Sequence, residues 1–204
     1  MKQIYLSFLL IPFLNFGQQQ IGQTIPHISP KDLTGSSISI SENGKTVVIG
    51  SPYNNVNGIS QSGSVRVFRN LNGSWTQIGQ DINGALLNDN LGSVVSLSAD
   101  GKIFATNVNH SSQGQNSGSV KIYKETSGNW IQLGNSISNS TTFLQYTKSL
   151  SLSADGNRIA IGEPTKDTNG ITDFKGKVRI FENISGTWTQ LGQDILGKTS
   201  SSRS

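Results

Sequence analysis

Proton transfer near neutral pH is the natural work of histidine, and this 204-residue chain has two, His27 and His110. They fall at unrelated places in the repeating pattern traced below, and no Gly-x-Ser-x-Gly or His-Glu-x-x-His motif occurs. Asp81 and Asp194 recur in a shared Gln-Asp-Ile setting, with Ser136 at the corresponding middle place. An acid that recurs just past a strand reads as a turn residue before it reads as a general acid. Trp75, Trp130 and Trp188 have faces suited to sugar rings, yet all three share one setting ahead of Ile or Leu, which favours packing. Arg66, Lys121 and Arg179 also share one position and are expected to point outward on a solvated strand face. None of these groups composes a catalytic set.

Composition narrows the classes further. Cysteine is absent, which removes disulfides and thiolate metal sites. The net charge is +4, but no basic run concentrates it, so no nucleic-acid partner is expected. With 14% charged residues and 23 glycines, the balance is that of a strand- and turn-rich chain.

The elements that must position any site come from an internal repeat of about 55 residues, marked by the tryptophans. Gly63-Ser-Val-Arg-Val-Phe68, Gly118-Ser-Val-Lys-Ile-Tyr123 and Gly176-Lys-Val-Arg-Ile-Phe181 repeat in the same register. So do Ser41-Glu-Asn-Gly44, Ser98-Ala-Asp-Gly101 and Ser153-Ala-Asp-Gly156. Each module reads as four short strands. In the first, Ile38/Ile40, Val95/Leu97 or Leu150/Leu152 alternate with serines, so one face is expected to be buried and the serine face wet. An Asn-Gly or Asp-Gly hairpin follows. The second strand is continuously apolar, as in Val47-Val-Ile49. The third alternates again, and the fourth carries the tryptophan. No helical periodicity persists in the repeats. The expected fold class is all-β, a partial, three-blade β-propeller of four-stranded antiparallel sheets; a sandwich or a solenoid are the alternatives.

Lys2 and the apolar run from Ile4 to Leu14 match a signal peptide over residues 1–17, so a secreted, extracellular or cell-surface location is expected, with no membrane span. Residues 18–197 then hold the repeats, at about 20–76, 77–131 and 132–189, plus the start of a further one at 190–197. Residues 198–204 are expected to be a disordered tail. Gln20-Ile-Gly-Gln-Thr-Ile25 echoes Gln77–Ile82 and Gln190–Ile195, so the exported chain is expected to start inside a fourth strand. Three modules are fewer than the four to eight of a closed propeller. Self-association through the open blade faces is therefore expected, with Val47, Val67, Ile159 and Ile180 among the uncovered residues and the segments Gln20–Ile25 and Gln190–Ile195 pairing across junctions.

Leu91-Gly92-Ser-Val-Val-Ser-Leu-Ser-Ala-Asp-Gly101, together with Gly50-Ser-Pro52 and Gly162-Glu-Pro164, resembles the FG-GAP repeats of integrin-alpha-type β-propellers in a divergent, secreted bacterial form. The middle module departs, with Asn107-Val-Asn109 in place of the Gly-Ala-Pro-like element. The resemblance implies extracellular adhesion or ligand recognition rather than catalysis. It also raises calcium, which members of the family bind through an acidic loop between the first two strands. Here that place holds hairpins too short to wrap the ion, and Asp100 and Asp155 read as turn formers. Thr165, Asp167, Asn169 and Asp173 reproduce much of the oxygen spacing after the second strand instead and are the candidate calcium ligands; no other cofactor is expected.

The expected function is non-catalytic recognition, of a protein or a glycan, at or outside the cell surface. A truncated fragment of a larger propeller protein and a polysaccharide-processing propeller enzyme are the alternatives. Contacts are expected in the loops after each second strand, which vary while the strands repeat: Tyr53, Asn55 and Asn57; His110 and Gln113; Lys166, Asp167 and Asn169.

Overall fold

A computed structural model of the protein describes residues 19–110, 117–138, 147–163 and 176–197. The expected signal peptide and tail lie outside the described residues. The first sheet contains β1 (Ser37–Ile40), β2 (Thr46–Ser51), β3 (Ser64–Leu71), β4 (Ser74–Gln77) and the short β5 (Ile82–Asn83). The second contains β6 (Val95–Leu97), β7 (Ile103–His110), β8 (Ser117–Thr126), β9 (Asn129–Gln132) and β10 (Ile137–Ser138). The third contains β11 (Ser149–Leu152), β12 (Arg158–Glu163), β13 (Lys177–Ile184), β14 (Thr187–Gln190) and β15 (Ile195–Leu196). Every strand pairing within them is antiparallel, and the described residues contain no helix. The fold is all-β, three propeller-type blades.

The hairpin joining the first two strands of each blade is built the same way three times. In the first, the Asn43 carboxamide oxygen accepts from the Ser41 hydroxyl and the Lys45 N–H, each at 2.9 Å, and the Ser41 Oγ accepts the Thr46 N–H at 2.9 Å. Asp100 with Ser98, and Asp155 with Ser153, repeat the arrangement. These acids are turn formers, as their spacing implies.

The fourth strand is interrupted, which the sequence pattern does not disclose. β4 pairs with one half of β3 and β5 with the other, and between them Gly79-Gln80-Asp81 leaves the ladder. The interruption is the joint between blades. The Ile78 carbonyl accepts the Trp130 indole N–H at 2.8 Å, while the Gln80 amide accepts the Trp130 N–H at 3.2 Å and donates to its carbonyl at 2.8 Å. At the next joint the Leu133 carbonyl accepts the Trp188 indole N–H and the Asn135 carboxamide oxygen accepts the Trp188 backbone N–H, each at 2.8 Å. Ile21 and Gln23 hold Trp75, so the N-terminal segment makes the contact of a fourth-strand end although no blade precedes it among the described residues. Gln20–Ile25 is thus already engaged within its own chain and is not a free edge.

Two apolar layers lie between the blades. Val48, Val65, Val67 and Leu91 pack against Val95, Phe104 and Trp130 in the first; the Phe104 ring stacks on Tyr123 at 5.1 Å and meets Trp130 edge-on at 4.9 Å. Ile103, Ala105, Val120 and Ile122 pack against Ile159, Ile161, Phe181 and Trp188 in the second. Val67 and Ile159 are therefore interior, contrary to the expectation that they lie on open faces. Val47 and Ile180 sit on the two outer faces and are half-buried.

In the first two blades the serine side of the first strand is not wet. Ser37 and Ser39 hydroxyls accept the Val95 and Leu97 N–H groups of the next blade, and Ser96 accepts that of Leu152. A short side chain is needed there because the next backbone approaches closely. The repeated alternation thus encodes two kinds of blade contact, apolar on one side and hydroxyl-to-backbone on the other.

Candidate functional site

Antiparallel pairing brings the β2–β3 loop, the segment before β1 and the β5–β6 connection to one end of the array, and the hairpins to the other. At the loop end three segments interlock. Asp32 accepts the N–H groups of Ile28, Ser29 and Thr34 at 2.6, 2.9 and 2.8 Å, closing a compact turn. Asp89 closes its counterpart by accepting from Ala85 and Leu86. Burial on its own would raise the Asp32 pKa, but the bonds from the Ser29, Thr34 and Ile28 N–H groups and the Thr34 hydroxyl hold it below the usual carboxylate value.

Between these turns runs the loop carrying three of the expected contact residues. Buried Asn54 pins it, donating to Ser64 Oγ at 3.1 Å and accepting from the Ser29 hydroxyl at 3.2 Å. The Tyr53 N–H reaches the Asp32 carbonyl, and Asn90 donates to the Pro52 carbonyl. Asn55 accepts the Gln61 N–H at 2.8 Å, and Asn57 takes a left-handed backbone with φ of 51°. Asn55 and Asn57 are thus turn-building residues. Tyr53 stands out from this frame with 46% of its surface exposed, on the same end as exposed Leu33, Leu86 and Leu87. His110 ends β7 opposite Ser117. Gln113, Lys166, Asp167, Asn169, Thr165 and Asp173 lie outside the described residues.

Arg66 and Arg179 do not occupy the solvated face expected of them. They are 7% and 8% exposed, each with its guanidinium over a phenyl ring, Phe68 at 5.3 Å and Phe181 at 5.1 Å. Arg66 donates to the Pro26 carbonyl at 2.8 Å, and burial lowers its pKa although Asp81 and Asp32 oppose the shift. Arg179 bonds buried Glu163 at 2.7 Å, and Lys177 lies 3.5 Å from Glu163 and 3.4 Å from Asp194. Asp194 would rise on burial, but the Gln190 hydrogen bond and the Lys177 charge hold it low. Asp81 accepts from Gln77 at 2.7 Å as Asp194 does from Gln190 at 2.8 Å, so the recurring acid braces the strand interruption.

Two concavities open on these ends. One, of about 380 Å³, is a groove at the loop end of the third blade, lined by Gly162, Glu163, Gly176, Lys177, Ile195 and Leu196 among others. The other, of about 400 Å³, lies at the hairpin end between Glu42, Asp100 and Asp155, whose hairpins are linked by the Glu42 N–H to the Ala99 carbonyl and the Ala99 N–H to the Ala154 carbonyl. Asp100 and Asp155 are spent on their own turns, and among the described residues no cluster of three or more His, Cys, Asp or Glu is placed to hold a metal ion.

Sequence reasoning missed the Asp32 and Asp89 turns, the Gln joint residues and Glu163. The signal was present for the first two: Asp32-Leu-Thr-Gly35 matches Asp89-Asn-Leu-Gly92, and Gln23, Gln80 and Gln193 share one place in the repeat. Glu163 has no counterpart to reveal it, standing where the other modules have Ser51 and Val108.

No family model matches the chain, and no curated protein matches it in sequence. Solved structures do match in fold. A Bacteroides uniformis protein assigned as a 6-phosphogluconolactonase is 17% identical with a TM-score of 0.51, over 79% of this chain and 40% of that one. Saccharomyces cerevisiae Sqt1 is 12% identical with a TM-score of 0.50, over 83% and 38%. The β-propeller domain of the Trilobed protease from Pyrococcus furiosus is 12% identical with a TM-score of 0.47, over 79% and 42%. The chain thus spans 38–42% of the length of these proteins. At such identities the likeness concerns the fold alone.

Proposed function

We propose that the chain is an exported, non-catalytic recognition module that binds a protein ligand through its loop end. The observation that carries this reading is Tyr53, an exposed aromatic held on a loop whose backbone is fixed by buried Asn54 and by both neighbouring turns. A rigid frame lowers the entropy lost on binding, and Tyr is enriched among residues that dominate interfaces. The exposed leucines at the same end suit a protein surface better than a sugar. The cationic and apolar order of residues 2–14 supports export. The FG-GAP likeness gains support from Leu91-Gly92, which seats against Gly50 at the junction of two blades. The polysaccharide-processing alternative needs acids free at the loop end, whereas among the described residues there Asp32 and Asp89 accept hydrogen bonds within their own turns. The lactonase assignment of the Bacteroides uniformis neighbour carries no chemistry across at 17% identity.

The test is surface plasmon resonance of the purified protein over immobilised fibronectin, collagen, mucin and bacterial envelope proteins, with a glycan array in parallel. Binding to a protein surface that weakens about tenfold or more in Tyr53→Ala or Leu87→Ala is the expected result. Binding confined to glycans, or indifferent to both substitutions, overturns the reading.

A further inference from the structure

The groove on the third blade has a counterpart inside the molecule, and there it is filled. Strand register maps Gly162, Gly176 and Gly197 onto Gly50, Gly63 and Gly84 of the first blade. Into that first groove the second blade inserts Leu91-Gly92: a Cβ built on Gly50 would stand 1.9 Å from the Gly92 carbonyl oxygen, and one on Gly63 2.3 Å from that of Leu91. Neither Gly50 nor Gly162 has a positive φ, so conformation does not call for glycine at either place. Gly50 is glycine because a backbone lies against it. At Gly162 the three atoms nearest the same built Cβ all belong to Ser149 of its own sheet, the Oγ at 2.1 Å, and none to an inserted backbone.

The matching insert stands unused at the other end of the chain. Asp32-Leu-Thr-Gly35 repeats Asp89-Asn-Leu-Gly92 in its aspartate-closed turn and in its backbone, with φ of 56° and 88° at Leu33 and Gly35 against 44° and 90° at Asn90 and Gly92. A Cβ on Gly35 would meet nothing within 4 Å. Other halves are likewise divided between the two ends. Ile38 and Ile40 are 66% and 58% exposed, where Val95 and Leu97 at the same place are buried. Ser149 and Ser151 are exposed, where Ser37 and Ser39 receive N–H groups. Leu191-Gly192-Gln193 repeats the joint that grips Trp130, with Gly192 at φ 76° and nothing within 4 Å of a built Cβ.

We infer that the third blade of one copy docks on the first blade of a second copy, head to tail, with Thr34-Gly35 entering the groove and Leu191-Gly192-Gln193 gripping Trp75. The occupant is specified by the chain itself, because each feature completes a contact already made between its own blades. Ile21-Gly22-Gln23 now holds Trp75 and must yield. That segment is a strap rather than a strand: Ile21 pairs with no ladder, whereas the Ile78 and Leu191 N–H groups reach the Val67 and Ile180 carbonyls. Pro26 stands where Asn83 joins the ladder and has no N–H to offer. The strap guards an open edge until a better partner arrives.

The inference stands independently of the recognition reading and is tested by sedimentation equilibrium of the purified protein over micromolar to submillimolar concentrations. Gln23→Ala removes two of the three bonds between the strap and Trp75, so association should tighten about tenfold. Ile195→Lys, at the groove rim and already exposed, should weaken it at least tenfold, and circular dichroism should show both variants folded. Opposite shifts of the two variants support the docking. A monomer at every concentration in both the parent and Gln23→Ala overturns it, as does loss of association in Gln23→Ala, which would mean that the strap itself joins the partner's sheet.

Discussion

The side-chain amide of Gln80 acts as a piece of β-strand for Trp130, accepting its N–H at 3.2 Å and donating to its carbonyl at 2.8 Å. Removing that amide leaves the backbone N–H and carbonyl of buried Trp130, in a strand whose other residues are exposed, without these partners. Gln80→Ala should cost about 1–3 kcal/mol in urea unfolding. Gln80→Glu should do no better, because the carboxylate cannot donate to the Trp130 carbonyl.

Gly79 and Gly192 offer a matched comparison. Their φ values are 71° and 76°, but a Cβ on Gly79 would stand 2.8 Å from Trp130 Cδ1 and 3.0 Å from the Gly128 carbonyl, while one on Gly192 meets nothing within 4 Å. At dilutions where the protein is monomeric, Gly192→Ala should cost about 1 kcal/mol, the usual strain of a left-handed alanine. Gly79→Ala should cost clearly more, by thermal or urea unfolding. Equal losses would mean that the joint does not close tightly on Trp130.

Acid should loosen the loop end. The folded Asp32 pKa lies below its ordinary value of 3.8, so its contribution is complete above that value and is lost as pH falls through the lower folded pKa. Asp155, lowered chiefly by the Ser153 hydroxyl, and Asp194 act in the same direction. Asp32→Asn should flatten the fall of stability between about pH 5 and 2, measured by denaturant titration at each pH.

The repeat itself, the hairpins and the packing role of Trp130 and Trp188 were legible in the sequence because each rests on local chemistry repeated three times. Ser-x-Asp-Gly makes the same turn wherever it occurs, and a tryptophan ahead of an aliphatic residue packs. The exposure of Arg66 and Arg179 was not legible. Alternation shows that they leave the face of their apolar neighbours, but the other side is covered by the N-terminal segment at Arg66 and by the second blade at Arg179, so alternation could not tell water from protein. Ser39 misled for the same reason. The interruption of the fourth strand was hidden because Ile78 and Ile82 keep strand-like types while the chain between them turns aside. Tyr53 was legible as a loop residue, but the fixity of its loop depends on Asn54, Ser29 and Ser64, which only the fold brings together.

Glu163 is buried with Arg179 at 2.7 Å. Glu163→Ala should cost about 3–5 kcal/mol, since it removes the carboxylate counter-charge from beside a buried guanidinium. The paired change Glu163→Leu with Arg179→Met should recover most of that loss, because a well-packed apolar pair avoids the desolvation of both charges. Failure of the double variant to recover in chemical unfolding would show that Lys177 and Asp194 depend on the pair for their own placement.

Each joint is made from a carbonyl, a glycine, a short amide side chain and an indole, and these parts are the same at every blade boundary. Asn135 replaces Gln80 at the second joint, yet the Trp188 indole keeps a 2.8 Å bond to the Leu133 carbonyl. A module copied in the gene therefore arrives with working halves of both its joints, and one that is deleted leaves two halves that still fit. Blade number in such an array can change by whole modules, with no redesign of a core.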